Sequence, residues 1–589
     1  MTRPNPEPSP PPQDWPACGH GAAPATDPDG CQGIQVPTLS ACLAHLNESD
    51  RVAYLATLSP GDDIDHRGTV FTGELLSELL SPLTDPATGR PRLGNARFDR
   101  AEFEGDTTFD GAQFAGTASF VGAGFGNSAR FNGVEFGDEA HFESAYFAGR
   151  SSFERAEFHG GAWFVGAKLG GPADFGGAKF NSDASFVGAK FHRVAWFGGA
   201  AFHGDTWFRT EFRDDAVFVK AVFEHVSSMG PLACTGTLDL SEAVFGAPVT
   251  IEVAANAVHC RRTRWASTAA LRLRHAAVDL TDAVLEHPVS IAARSRPFTV
   301  AGEELPEVDL DSPGVCVRSL RGVDAAHLVL SDIDLRDCRF AGTIHLDQLR
   351  LEGVYTLACA PGGLRRRGMR LVRWTPRRTL VEEHHWRAVR TVDADGWTTP
   401  LEGDEVLEPA ALAPVYRQLR KSFEDGKHEP GAADFYYGEM EMRRHADDIP
   451  WAERSLLTAY WAVSGYGLRA SRAFTWLMAA MSATVLAMML WGLPQHDLKP
   501  TSTATSTGSG RFVITAVPSA PVNPRGPYGE RLSVDRFEKS LRVVINSVVF
   551  RSSGQDLTTF GTYAEMASRL TEPVLLGLGL LAIRNRVKR

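Results

Sequence analysis

Eight cysteines in 589 residues are too few and too scattered for a disulfide scaffold. Positive charge is not in excess either. The 60 Lys and Arg stand against 71 Asp and Glu, a formal net charge of −11, which argues against binding driven by phosphate neutralisation. There is no Walker-type phosphate loop, no G-x-S-x-G elbow and no H-E-x-x-H pair, so the common signatures of nucleotide hydrolysis, acyl transfer and zinc proteolysis are missing. The opening stretch, MTRPNPEPSPPPQDWP, has no apolar run and reads as a proline-rich leader over 1–14 rather than a secretory signal. Hydrophobic length is lacking until the last fifth of the chain.

What is plentiful is phenylalanine, with 34 copies against 10 tyrosines. In ARFDRAEFEGDTTFDGAQFAGTASFVGAGF (96–125) the rings recur at Phe98, Phe103, Phe109, Phe114, Phe120 and Phe125. The series continues through Phe131, Phe136, Phe142 and Phe147 to Phe223, in alternating steps of five and six with one slip at Phe208–Phe212. Of its 24 centres, 23 are Phe and one is Leu169; the residue two before each centre is Ala in 19 cases. An 11-residue period can mark a helical supercoil. On a helix, however, these steps would split the rings into two stripes roughly 140° apart. The 20 glycines of residues 95–225 would also each cost a helix about 1 kcal/mol relative to alanine. Short parallel strands joined by tight corners fit instead, each repeat burying one ring that stacking alone can cover.

The units ARFDR, AEFEG, AQFAG and AEFHG resemble the repeats of pentapeptide-repeat proteins: a small residue, a polar one, a central Phe or Leu, and two variable positions. The resemblance implies a mainly β fold, a right-handed, quadrilateral parallel β-helix with about four repeats per coil. Twenty-four centres then make about six coils, roughly 29 Å tall at ~4.8 Å per layer. Residues 95–225 are the regular part and 226–355 a looser continuation, in which Leu330, Leu335, Phe340, Leu346 and Leu351 regain the spacing and 295–314 reads as an inserted loop.

Ahead of the repeats, 15–60 forms a small Cys/His segment and 61–94 a linker or cap. Cys18, Cys31, Cys42 and His45 offer three thiolates and an imidazole, a suitable tetrahedral set for one structural zinc ion, with His20 as a competing ligand. Unconnected thiols in a reduced cytosolic segment are the alternative. Such a closed set would leave no coordination position open for catalysis.

After the solenoid, 356–408 is a basic linker in which Glu382, Glu383, His384 and His385 are expected to be solvated surface. Residues 409–470 read as a helical juxtamembrane region. Ala473–Leu493 is 21 residues without a charge, enough to cross a bilayer; 494–534 reads as an external, largely unstructured connector, and 564–583 as a second span with the basic tail 584–589 behind it. Arg454, Arg469, Arg472 and the tail place both ends inside by the positive-inside rule. The expectation is therefore a plasma-membrane hairpin with both termini and the β-helix in the cytosol, and with homo-oligomerisation open to it.

The segment 535–563, with Thr558, Thr559 and Gly561 before the second span, resembles the pore-helix and filter order of two-span potassium channels. Its filter run, TTFGTYAE (558–565), lacks the Gly-Tyr-Gly that lines up carbonyls around an ion. The leading expectation is thus a non-enzymatic scaffold that presents the β-helix to a protein partner not identified by the sequence. A channel-like protein with a degenerate filter is the alternative. A DNA-mimicking topoisomerase-protection protein ranks below both, because 95–225 holds 12 Lys and Arg against 18 Asp and Glu, too sparse a charge for a duplex mimic; nucleic acid is not an expected partner.

Overall fold

All 24 centres from Phe98 to Phe223 point inward, each 2% exposed or less. They lie on short strands or directly after them, and each strand pairs in parallel with its counterpart one coil further on: Phe114 faces Phe136, Phe136 faces Phe158 and Phe158 faces Phe180. Two of the repeating five-plus-six units therefore make one coil, and four centres make its four walls. The rings form four columns rather than one. In the column Phe98, Phe120, Phe142, Phe164, Phe186, Phe208 the centroids are 4.8–5.2 Å apart with planes within 13° of parallel. Neighbouring columns meet edge to face, as Phe142 does Phe153 at 5.4 Å and 87°. Stacking along the axis and T-shaped contact across it are the two arrangements aromatic quadrupoles favour. The alanines two residues before the centres are buried as well and leave the rings their room.

The five/six alternation has a backbone cause. Five-residue steps turn tightly: the second residue after the centre takes positive φ, as at Gly111 (68°) and Gly122 (64°). The N–H after it returns to the centre's carbonyl, Ala112 to Phe109 at 2.9 Å and Ala123 to Phe120 at 3.0 Å. This is type II geometry, in which that position favours glycine. Six-residue steps such as Phe114–Phe120 spend their extra residue on a wider corner. At the slip, Thr210 is buried and its hydroxyl donates to the Phe186 carbonyl at 3.0 Å, satisfying an acceptor inside the shortened coil.

The computed structural model describes residues 14–22, 30–300, 303–307, 309–310, 314–367, 370–374, 376–390, 396–495, 501–506, 512–517, 521–549 and 556–587. They fall into two units, Met1–Asp404 and Glu405–Arg589. In the first, helix α1 (Glu48–Leu55) precedes a coil that begins ahead of Asn95: Ile64–Asp65 pairs with Ala96–Arg97, and Phe71 stacks on Phe103 at 5.3 Å. Helix α2 (Gly73–Leu80), capped by Thr72, interrupts this coil and buries Leu75, Leu76, Leu79 and Leu80.

The parallel β-solenoid runs on for about 12 turns. Beyond Val226 the coil shortens. The change happens within a single pair of long strands, Ser228–Asp239 and Val249–His259, in which Met229 faces Ile251, Cys234 faces Ala255 and Leu238 faces Val258. Two register shifts, between Met229 and Leu232 and between Cys234 and Thr237, each take one position out of the coil. From there Phe245, Trp265 and Leu285 follow one another up one wall. The stretch that reads as irregular therefore keeps a coil, two residues shorter than the coils before it. Val289 next pairs with Leu328, nearly two such coils further along the chain. The excursion between them holds the hairpin Thr299–Val300 with Glu303–Glu304, at the position of the expected inserted loop, and lays Phe298 and Leu310 over Ala254.

Helix α3 (Val381–Arg390) closes the end. Its Glu382 accepts the N–H groups of Phe340 and Ala341 at 2.6 and 2.9 Å. Glu382, Glu383, His384 and His385 are at most 6% exposed, which corrects the expectation of a solvated surface. A solenoid's open end presents unpaired strand groups, and a carboxylate answers the donors among them.

In the second unit the expected helical region opens with α4 (Pro409–Asp425) and α5 (Glu429–His445), which form a hairpin with Phe435 between Tyr416 and Phe423. Helix α6 (Trp451–Ser464) follows, then α7 (Ala470–Ala487), continued by a π-helical turn to Gly492. The connector, expected to be largely unstructured, contains paired strands Thr501–Ser506 and Phe512–Val517. Short α8 (Tyr528–Arg531), amphipathic α9 (Val534–Val549) and α10 (Thr559–Val587) complete the unit. Two stretches, Ala470–Gly492 and Thr559–Arg584, are long and apolar enough to cross a membrane.

Candidate functional site

The N-terminal cysteines are brought together by two chain reversals. Cys18 N–H donates to Gly33 O at 2.8 Å, Gly19 N–H to Cys31 O at 2.9 Å and Cys31 N–H to His20 O at 3.0 Å. These bonds set Cys18 beside Cys31, and the 3-10 turn Leu43–His45 puts His45 one turn past Cys42. Gly33 has to lack a side chain, because a Cβ there would lie 2.9 Å from Cys42 Sγ. Ile34 N–H then donates to Arg67 O at 2.8 Å, tying the knuckle to the first coil.

The resulting ligand atoms all lie within 4.8 Å of one another. Cys31 and Cys42 sulfurs are 3.7 Å apart, and His45 Nδ1 is 3.3 Å from Cys42 Sγ and 3.8 Å from Cys18 Sγ. A tetrahedral zinc with ordinary bond lengths separates two sulfurs by about 3.8 Å and a sulfur from a nitrogen by about 3.6 Å, so the donor set fits the ion. His20, the competing ligand, instead stacks on His45 with centroids 4.2 Å apart and planes 24° from parallel. Burial, aided by the neighbouring Cys31 and Cys18, pushes the Cys42 thiol up to about 12. Burial and then His20 hold His45 below its ordinary range. Burial comes first in both shifts, because it disfavours the charged thiolate and the charged imidazolium alike.

The walls are the second candidate. Outward positions stack in register, so one wall reads Asp65, Arg97, Ser119, His141, Trp163, Ser185, Trp207. At its N-terminal end the wall is overhung by Asp14, Gln35, Pro37, Tyr54 and Leu58, framing an open cavity of about 970 Å³ that Asp63, Arg67, Arg97 and His141 also line. Trp15 packs over Arg67 and Arg100 at 4.8 and 5.6 Å. His141 sits between Glu143 (2.9 Å) and Glu139 (3.0 Å); the Glu143 hydrogen bond chiefly raises it above the usual imidazole range.

Thr558, Thr559 and Gly561 form the start of α10. The Thr558 hydroxyl donates to Trp491 O at 2.7 Å and accepts Gly561 N–H at 3.1 Å, while Thr558 O accepts Thr562 N–H at 2.9 Å. Gly561 packs on Gly492 so closely that a Cβ on it would collide with the Gly492 carbonyl. These residues cap one helix and seat it on the end of another, and the Thr558 carbonyl is taken up within α10.

A buried polar cluster around α3 escaped sequence reasoning. Glu383 accepts Arg377 Nη2 with both oxygens, at 2.6 and 2.7 Å, and Arg387 Nε at 2.7 Å. His384 accepts Thr398 N–H at Nδ1 (3.3 Å), so its Nε2 donates to Thr379 Oγ1 at 2.8 Å; burial pushes it down to about 4. The recurrence of Arg and Glu at 377, 383 and 387 was the one signal available, and charge of that kind ordinarily belongs on a surface.

The family model for pentapeptide repeats matches residues 91–134 and 164–210, in nine copies. No curated protein and no solved structure matches the chain.

Proposed function

From the premise that this solenoid is built of pentapeptide repeats, we propose that the chain is a membrane-anchored display scaffold, working by surface contact with a protein partner and without catalysis. The observation that carries this is the filled core. With every centre and nearly every preceding small residue buried, the outward strand positions hold the chemistry the regular solenoid can offer. A photo-crosslinking residue at Trp207 on one wall, or at Tyr146 on the next, in the full chain in native membranes should yield discrete adducts from one wall and not the other. Adducts from neither wall would sink the scaffold reading.

The anchor is the α7–α10 hairpin, which we read as crossing the membrane twice. The side facing the partner is then the cytosolic side, where Arg454, Arg469 and Arg472 at the entry to α7 and Arg584, Arg586, Lys588 and Arg589 at the C-terminal end of the chain cluster. Cys18, Cys31, Cys42 and His45 would hold one zinc in a closed set; bound there, the ion supplies cross-linking of a short segment and no reaction. Elemental analysis of the purified chain should give one zinc per molecule, lost in Cys31→Ser and kept in His20→Ala. Retention of zinc by Cys31→Ser together with Cys42→Ser would exclude the assignment.

A further inference from the structure

An acidic side chain, Glu572, lies in the seam between α7 and α10. Glu572 is fully buried, in a stretch whose apolar length reads as a membrane span. Its Oε1 lies 3.0 Å from Thr484 Oγ1 on α7, and its Oε2 has no hydrogen-bond partner. Thr484 is itself 3.0 Å from Ala480 O, one turn back on its own helix.

We propose that Glu572 is a proton-binding site inside the membrane hairpin: its carboxyl carries a proton at neutral pH and donates it to Thr484 across the helix seam. The proposal rests on the reading of α7 and α10 as membrane spans.

A hydrogen count supports it. The Thr484 hydroxyl has one hydrogen and two acceptors at 3.0 Å. If the carboxyl is protonated, the chain closes: Glu572 O–H to Thr484 Oγ1, and Thr484 O–H to Ala480 O. If it is ionised, the hydroxyls of Thr484 and of buried Ser568, one turn back on α10, are the donors at hand, and Oε2 is still left without a partner, a state that buried carboxylates avoid by taking a proton.

No cation stands in for the proton. Among the described residues Glu572 has no ion-pair partner. On α10 itself Arg569 is turned to Glu565, with Nη2 to Oε1 at 2.7 Å. Helix α7 has no charged residue between Ala473 and Leu493. On α9, Arg536 is spent on the carbonyls of Met489, Leu493 and Pro494, and Arg542 pairs with Glu538; Asp535 and Lys539 are its other charges. On α6, Arg454 pairs with Asp447 and Glu453 with Arg443, and Tyr460 is the remaining titratable group. On α5, Glu439 pairs with Arg417 and Arg420, and Glu441 with Arg444; His445 bonds the Glu441 carbonyl at 2.8 Å, and Glu429 and Asp434 complete its acidic residues.

The seam is tight on both sides of the site, at Gly492 against Gly561 and at Gly579 against Phe474. Pro573, next to Glu572, removes a helix N–H at that level. A proton leaving Glu572 would deprive the seam of its interhelical donor, so the packing of α7 on α10 is coupled to the protonation of this one group.

The test uses the full chain in phosphatidylcholine–phosphatidylglycerol vesicles. Flotation and carbonate extraction first establish insertion. Infrared difference spectra of wild type minus Glu572→Gln at pH 7 should then show the C=O stretch of a protonated carboxylic acid, and Thr484→Val should shift that band by removing its acceptor. Retention of the chain by the vesicles with no such band overturns the proposal alone; the carboxylate would then be ionised and re-paired, with Arg569 as the nearest cation in sequence. Release by carbonate overturns the membrane reading, and the proposal with it. If Glu572→Gln does not insert, the Thr484→Val shift decides, and an unshifted band counts against the site.

Discussion

His66 occupies the first central position of the column that continues with Phe98, 6.5 Å away between ring centres, and its Nε2 meets Tyr54 OH at 3.3 Å. Burial holds this imidazole at about 4, below the ordinary value near 6.5. The unfolded chain therefore takes up a proton as pH falls through about 6.5, while the folded chain does not until about 4. Stability from this group is whole above that window and is lost through it, by on the order of 3 kcal/mol. His66→Phe should flatten the acid loss of hydrogen-exchange protection around 64–72, after correction for intrinsic rates; an unchanged profile would mean that the ring is not buried neutral. His384, also pushed down to about 4, gives the far end of the solenoid its own acid sensitivity, which that variant leaves in place. Corner residues offer a second test. Arg155 takes φ 53° where most five-residue steps of the regular part use glycine, and a left-handed non-glycine costs roughly 1 kcal/mol. Arg155→Gly should therefore raise the melting temperature, and Gly166→Val at φ 67° should lower it. The phenylalanines and alanines were legible because each repeats one physical task. His66 was not, since α2 and the rest of an interrupted coil separate it from Phe98 and leave it outside the run of regular steps.

At the scale of elements, each coil borrows its core from its neighbours. Phe142 stacks between Phe120 and Phe164 and meets Phe131 and Phe153 edge-on, so Phe142→Ala should cost about 3–5 kcal/mol, read as a fall in the denaturant midpoint. A loss under about 1 kcal/mol would contradict a close-packed column. The proposed zinc knuckle is separable. Chelation should raise hydrogen exchange over 15–45 while leaving 96–223 protected, because only the first group hangs on the four ligands. The regular coils could be read because steps of five and six leave a visible period. Those of 226–325 could not, because the centres change from Phe to Met, Leu, Ile, Cys and Trp as two register shifts shorten the coil. Helix α3 misled for another reason. Its Glu382 answers backbone donors at the solenoid's end and its Glu383 gathers Arg377 and Arg387, demands set by the tertiary fold and absent from any local pattern. The filter-like turn showed the reverse case: a threonine-glycine sequence that reads as a special loop serves as an ordinary helix cap.

For the molecule as a whole, the proposed function divides the labour between a filled β-solenoid for display and a helical unit with two apolar hairpin helices for anchorage. The two halves of that account fail separately: wall-specific crosslinking examines display, and topology examines anchorage. Topology is the more direct, because the scaffold reading requires the solenoid to face one compartment and the connector the other. The exposed native thiol Cys359 and a cysteine placed at exposed Val522 report the two sides. A membrane-impermeant maleimide applied to intact cells carrying Val522→Cys should label position 522 at once, and Cys359 only after permeabilisation. Labelling of Cys359 in intact cells, or silence of position 522 until the membrane is opened, would contradict a cytosolic solenoid held on a two-span hairpin.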